Sequence, residues 1–159
     1  MEQPMTVRTV YLTREGFGRL DAERQHLVSV RRREVAERLR LSKEFSDTID
    51  NAEYDDAKAE QSFVEGRVAE LDRMLANATI IDDLPSGDYV SLGSRVSVRM
   101  SDGEIDSYTI VGSAEADPRK GRISNESPVG RALLGKRKGD RVVVVAPAGS
   151  FEMELLSLE

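Results

Sequence analysis

The residues best suited to chemistry lie at 44–56, where six acids (Glu44, Asp47, Asp50, Glu53, Asp55 and Asp56) occur without a base. Carboxylates three residues apart in a loop, such as Asp47 and Asp50, can converge on one hard cation. Two carboxylates fall short of a Mg²⁺ cage, because that ion takes six oxygens and keeps several waters. A metal here needs further oxygens, from a substrate phosphate or from another protein. The competing reading is structural: acids at the start of a helix favour its dipole, with Asp50 or Asn51 as N-cap. Composition alone favours that second reading.

Bases are distributed the other way. Residues 14–44 hold nine Lys or Arg, whereas residues 46–78 hold only Lys58, Arg67 and Arg73. Lys43 and Lys58 flank the acidic stretch from either side and can meet phosphates beneath it. Most of the other bases read as a solvated helix face with interhelical ion pairs. With no cysteine and one histidine, His26, thiolate sites and multi-imidazole centres are excluded. His26 has no ligand partner at suitable spacing and reads as a surface residue. Gly-rich phosphate loops, nucleophile elbows and paired-histidine zinc motifs are absent.

Two kinds of element must position these groups. No proline interrupts residues 5–84, and Thr13 is a natural N-cap for a helix opening at Arg14. Tyr54, Ala57, Gln61, Val64, Val68, Leu71, Leu75 and Ala78 step by three and four, which predicts a coiled-coil seam. The stripe before it (Phe17, Leu20, Leu27, Val28, Val35, Leu39) is broken by Arg24, Arg31 and Arg32. Residues 45–51 between the patterns are rich in turn and cap formers. These features predict an antiparallel helical hairpin with arms of about thirty residues, roughly 45 Å long. After Leu84-Pro85-Ser86-Gly87 the period becomes two. Strands are expected over 95–100, 108–111, 141–146 and 151–158, with a hairpin turn at 147–150. Ser127-Pro128 opens a short helix over 129–134, closed by Gly135. The expectation is an α+β chain: a coiled-coil hairpin over 1–81 with its tip at 45–51, a linker or hinge at 82–88, and a mainly antiparallel sheet domain over 89–159.

The 159 residues carry 29 acids and 23 bases, for a net charge of −6, with 33% charged residues and 5% aromatics. Net acidity argues against a protein that coats DNA through bulk positive charge. No apolar run reaches 18 residues and residues 1–8 lack a signal-peptide core, so a soluble intracellular protein is expected.

Three stretches resemble the bacterial Gre transcript-cleavage factors of RNA polymerase. They are Leu12-Thr13-Arg14-Glu15-Gly16 with Val30-Arg31-Arg32; Asp50-Asn51-Ala52-Glu53-Tyr54 through Phe63-Val64-Glu65-Gly66-Arg67; and Tyr108-Thr109-Ile110-Val111-Gly112 through Ser127-Pro128-Val129-Gly130-Arg131-Ala132-Leu133-Leu134-Gly135-Lys136. Their order and spacing follow the family across nearly the whole chain. The resemblance implies a C-terminal domain like the FKBP fold, with Ser127, Pro128 and Gly130 in the stretch that docks at the rim of the polymerase secondary channel. It implies that the hairpin enters the channel, where Asp47 and Asp50 help hold a Mg²⁺ shared with the polymerase active site and orient water on backtracked RNA. Lys43 and Lys58 take the family's basic positions facing polymerase and the RNA 3′ end. By the same resemblance the chain is a cytoplasmic, monomeric cofactor of polymerase and not a self-contained enzyme. It holds no tight cofactor, touches no membrane and reads no DNA sequence.

The tip departs from the family pattern Gly-Asp-Leu-x-Glu-Asn-x-Glu-Tyr. Ser46 replaces the Gly, Thr48 the Leu and Asp50 the Glu. The shorter side chain at 50 draws its carboxylate back by roughly 1.5 Å, on a scale where 1 Å can cost about 10²-fold in rate. Weakened cleavage stimulation is therefore expected. The alternative is a Gre homologue that occupies the channel, does not cleave and inhibits transcription. A prolyl isomerase or chaperone is disfavoured, because only Tyr89, Tyr108 and Phe151 are aromatic after Leu84. A plain coiled-coil adapter leaves the acid cluster unexplained beyond capping.

Overall fold

The computed structural model describes residues 7–44 and 51–159. The chain packs as two compact units. One is Phe17–Asn77; the other joins the described residues up to Gly16 with Ala78–Glu159.

The helical unit is a hairpin. Its first arm runs through α1 (Arg14–His26), a π-helical turn (Leu27–Arg31) and α2 (Arg32–Glu44); its second is α3 (Ala52–Ala76). Val35 and Leu39 of α2 bury against Ala57, Val64 and Val68 of α3, with Leu27, Val28 and Tyr54 packed around them. The expected seam is thus the interface, and Leu71 extends it. The interruptions in the first stripe have a physical cause. The π turn inserts extra backbone and shifts the phase of the side chains, and the arginines there span to the opposite arm. Arg24 pairs with Asp72, Arg31 and Arg38 with Glu60, and Arg32 with Glu65; Arg67 returns the contact to Glu23. Partners descend one arm as they ascend the other, so the arms are antiparallel. α3 has 25 residues, or about 37 Å, shorter than expected. Asn77 caps it, and Ala78 leaves the seam to begin a strand.

That strand is β2 (Ala78–Ile80), which pairs in parallel with β1 (Val10–Leu12). Neither short strand shows an alternating pattern, because each is only three residues long. They belong to the second unit, so packing divides the chain near 16/17 and 77/78, not at the expected 82–88 linker. Residues there form a short 3₁₀ turn (Ile81–Asp83) and extended chain, and Ile81 is buried.

The main sheet has the order β5-β4-β3-β7-β6. It comprises β3 (Arg95–Met100), β4 (Ile105–Val111), β5 (Arg122–Ser124), β6 (Arg141–Ala146) and β7 (Gly149–Leu158). All pairings are antiparallel except β4–β5. Ala146 pairs with Gly149 across Pro147-Ala148, and a bulge lies at Ser97/Val98. Alternate residues Val96, Val98, Val142, Val144, Met153 and Leu155 form the core with Ile110, Ile123 and Leu133. The helix α4 (Pro128–Leu133) packs there. Observed strands exceed the expected ones at β4 and β7, and β5 was not expected. Among the described residues no helix is long and apolar enough to cross a membrane.

Candidate functional site

Asp47 and Asp50 lie outside the described residues, as do Ser46 and Thr48. The groups that border them are described. Asn51, one of the two expected caps, is the N-cap of α3: its Oδ1 accepts the Tyr54 N–H at 3.1 Å. Its Nδ2 donates to the Ser42 carbonyl of α2 at 2.8 Å. One side chain therefore satisfies a free donor of one helix and a free acceptor of the other, and it draws the two arms together. Sequence alone suggests the cap but not the cross-arm bond, which depends on how the arms are staggered.

Tyr54 is half-buried at the end of the seam, as a core reading of its position requires. Its ring does more than fill space. The Nζ of Lys43 lies 5.7 Å from the ring centroid and that of Lys58 5.9 Å. The two lysines expected to flank the tip thus meet on one aromatic ring, from opposite arms. An ammonium within about 6 Å of a ring face is attracted by the ring quadrupole. Lys58 also donates to Gln61 Oε1 at 3.2 Å, and neither lysine forms an ion pair among the described residues. Glu44 and Glu53 are exposed. Among the described residues these two cations have no carboxylate partner, which suits them to meet an anion from outside.

Further along the hairpin the charge is internally neutralised. Arg67 donates two hydrogen bonds to Glu23, at 2.6 and 2.9 Å, and these hold the Glu23 carboxyl below the usual range. Hydrogen bonds from Arg32 at 2.6 and 2.7 Å lower Glu65 in the same way. Most arm bases are therefore structural, whereas Lys43 and Lys58, like Arg33 and Arg73, form no ion pair among the described residues. His26 is exposed. Among the described residues no group of three or more His, Cys, Asp or Glu can hold a metal ion.

The second predicted stretch is a tightly stitched turn. Ser127 caps α4, its Oγ accepting the Gly130 N–H at 3.1 Å and donating to the Ser124 carbonyl at 2.7 Å. Pro128 is exposed, while Gly130 is buried. A Cβ at Gly130 would lie 2.0 Å from the Ser124 oxygen, so only glycine permits this approach. Arg131 Nε donates to the Glu126 carbonyl at 2.8 Å. The turn thus presents Pro128 on a rigid base. Glu115, unremarked in the sequence, anchors the start of α1: it accepts from Thr13 N at 2.6 Å, Thr13 Oγ1 at 2.7 Å and Arg122 at 3.2 Å. Thr13 Oγ1 in turn accepts the Gly16 N–H, which is the expected cap. Nothing local in Ser113-Ala114-Glu115 signals this, because its partners are distant in sequence.

Two family models match this chain. The N-terminal domain model of transcription elongation factors covers residues 10–80, and the C-terminal model of GreA/GreB transcription elongation factors covers residues 85–159. Transcription elongation factor GreA of Chloroflexus aggregans is 50% identical over 156 residues, spanning 97% of this chain and 99% of that protein. GreA of Bacillus cytotoxicus is 46% identical over the same share of each. Among solved structures, GreA factor homolog 1 (Gfh1) of Thermus thermophilus is 33% identical over 96% of this chain and 99% of that one, with a TM-score of 0.44.

Proposed function

The chain belongs to the GreA/GreB family of transcription elongation factors, and on that premise we propose that it inserts its hairpin into the secondary channel of RNA polymerase and promotes hydrolysis of backtracked RNA. The observation that supports this most is the pair Lys43 and Lys58, which share the Tyr54 ring from opposite arms and form no ion pair among the described residues. In this reading the lysines meet the RNA phosphates near its 3′ end, while Asp47 and Asp50 face the reacting phosphate. Asp47 and Asp50 would help hold a Mg²⁺ shared with polymerase, which would supply Lewis-acid polarisation of the phosphate. Two carboxylates would not suffice to bind that ion alone, so polymerase and RNA would supply the remaining oxygens. The factor is then an accessory to the polymerase's own chemistry, acting as a cytoplasmic monomer. Pro128, presented by the Ser127–Gly130 turn, belongs to the docking surface of the sheet unit.

Asp50 in place of the family Glu supports a second reading, a factor that fills the channel and restrains transcription. The two are separated on a stalled, backtracked complex at saturating factor. Faster RNA hydrolysis supports the first. Occupancy of the channel with slowed synthesis and no added hydrolysis supports the second. Asp50→Glu restores the missing methylene and is expected to raise cleavage, by up to about 10²-fold if the retracted carboxylate limits the rate.

A further inference from the structure

The sheet unit contains a cavity of about 470 Å³, lined by Arg95 of β3, Thr109 of β4, Arg122 of β5 and Lys120 just before it, with Tyr108 and Asp82. This size is in the range of small-molecule sites. Its charge is one-sided, with three cations against one lining acid. Arg122 spends one guanidinium nitrogen on the buried Glu115, at 3.2 Å, but its Nε is buried without any hydrogen-bond partner. Such an unpaired buried donor is the sole side-chain case of its kind among the described residues, and it calls for an acceptor. Arg95 and Lys120 are exposed and form no ion pair among the described residues. Asp82 is already engaged, accepting the Arg14 backbone N–H at 3.3 Å. Gly121, at φ +71°, makes the turn that brings Lys120 and Arg122 to the same cavity.

We propose that this cavity binds a small phosphate-bearing anion, with Arg122, Arg95 and Lys120 as its ligands. A water molecule would satisfy Arg122 Nε but leave two bases without a counter-charge. A single carboxylate would fill little of the volume and balance only one of the cations. A phosphate group accepts several hydrogen bonds, carries up to two charges and suits a guanidinium fork. All the lining residues belong to the sheet unit, and none belongs to the hairpin unit.

The test is a titration of the full chain, followed by amide NMR, with sodium pyrophosphate and with AMP; sodium chloride at matched ionic strength is the control. The expected result is saturable shifts at Gly93, Thr109 and Gly121 with at least one phosphate compound. The double variant Arg95→Gln/Lys120→Gln, which alters only exposed side chains, should weaken binding by about tenfold or more while the fold is retained. Arg122→Lys keeps the charge but removes the fork and should also weaken it. Shifts that chloride reproduces, that do not saturate, or that survive the double variant unchanged would overturn the proposal. So would saturable binding of a hexaglutamate peptide with none of pyrophosphate or AMP.

Discussion

Replacing Tyr54 separates two roles that the ring combines. Tyr54→Leu retains an apolar side chain at the end of the seam but removes the π face on which Lys43 and Lys58 rest, 5.7 and 5.9 Å from its centroid. Tyr54→Phe retains both. Cation–π contacts at exposed sites contribute about 0.5–1 kcal/mol each. Two of them give about 1–2 kcal/mol, with mutual repulsion of the ammonium groups favouring the lower end. Chemical denaturation followed by helical circular dichroism reads this difference, since the hairpin holds most of the helix. Tyr54→Phe should unfold close to wild type, and Tyr54→Leu should lose about 1–2 kcal/mol. A double-mutant cycle with Lys43→Met and Lys58→Met isolates the coupling. In the doubly lysine-substituted background, Leu and Phe at position 54 should become nearly equivalent. If Leu and Phe are equivalent with both lysines present, or the Leu penalty is undiminished without them, the ring does not hold the lysines.

Three further outcomes follow from the geometry. Asn51→Ala removes the α3 cap and the bond to Ser42, and should cost the hairpin about 1–2 kcal/mol by the same denaturation assay. Gly130→Ala places a methyl group 2.0 Å from the Ser124 oxygen; the turn must open, at a cost of about 3 kcal/mol or more, visible as a lowered Tm of the sheet unit. Glu23 and Glu65 have carboxyls lowered by Arg67 and Arg32, so their contribution is complete above the unfolded carboxylate pKa of about 4.3. It is lost as pH falls through their lower folded values. A pH series should therefore show a flat hairpin midpoint from about pH 6 to 8 and a steady fall below about pH 4.

The strongly periodic parts of the fold were legible from residues alone. Val64, Val68 and Leu71 stand at regular helical spacing, and Val96/Val98 and Val142/Val144 alternate, so both cores can be read before any contact is known. Capping was legible too, at Thr13 and at Ser127-Pro128. What escaped depends on partners far along the chain. The parallel pair β1–β2 joins residues about seventy positions apart through backbone bonds, which leave no side-chain pattern. The same pairing moved the packing boundary away from 82–88. The π turn at Leu27–Arg31 was visible only as an irregularity, and its arginines explained themselves once Glu60 and Glu65 stood opposite. For the candidate site, sequence named Lys43 and Lys58 but not their shared ring, because the stagger of the arms brings them together. The Arg122 cavity draws on β3, β4, β5 and Asp82, and no stretch of sequence announces it.

In the proposed function Asp47 and Asp50 act on RNA inside polymerase. This role is tested most directly by the rate of RNA hydrolysis in a backtracked complex at saturating factor, compared among wild type, Asp47→Asn and Asp50→Asn, with binding to polymerase measured in parallel. Acceleration by the wild-type chain, its loss by about 10²-fold or more in each variant, and unchanged binding are expected. Equal acceleration by all three proteins would contradict that role.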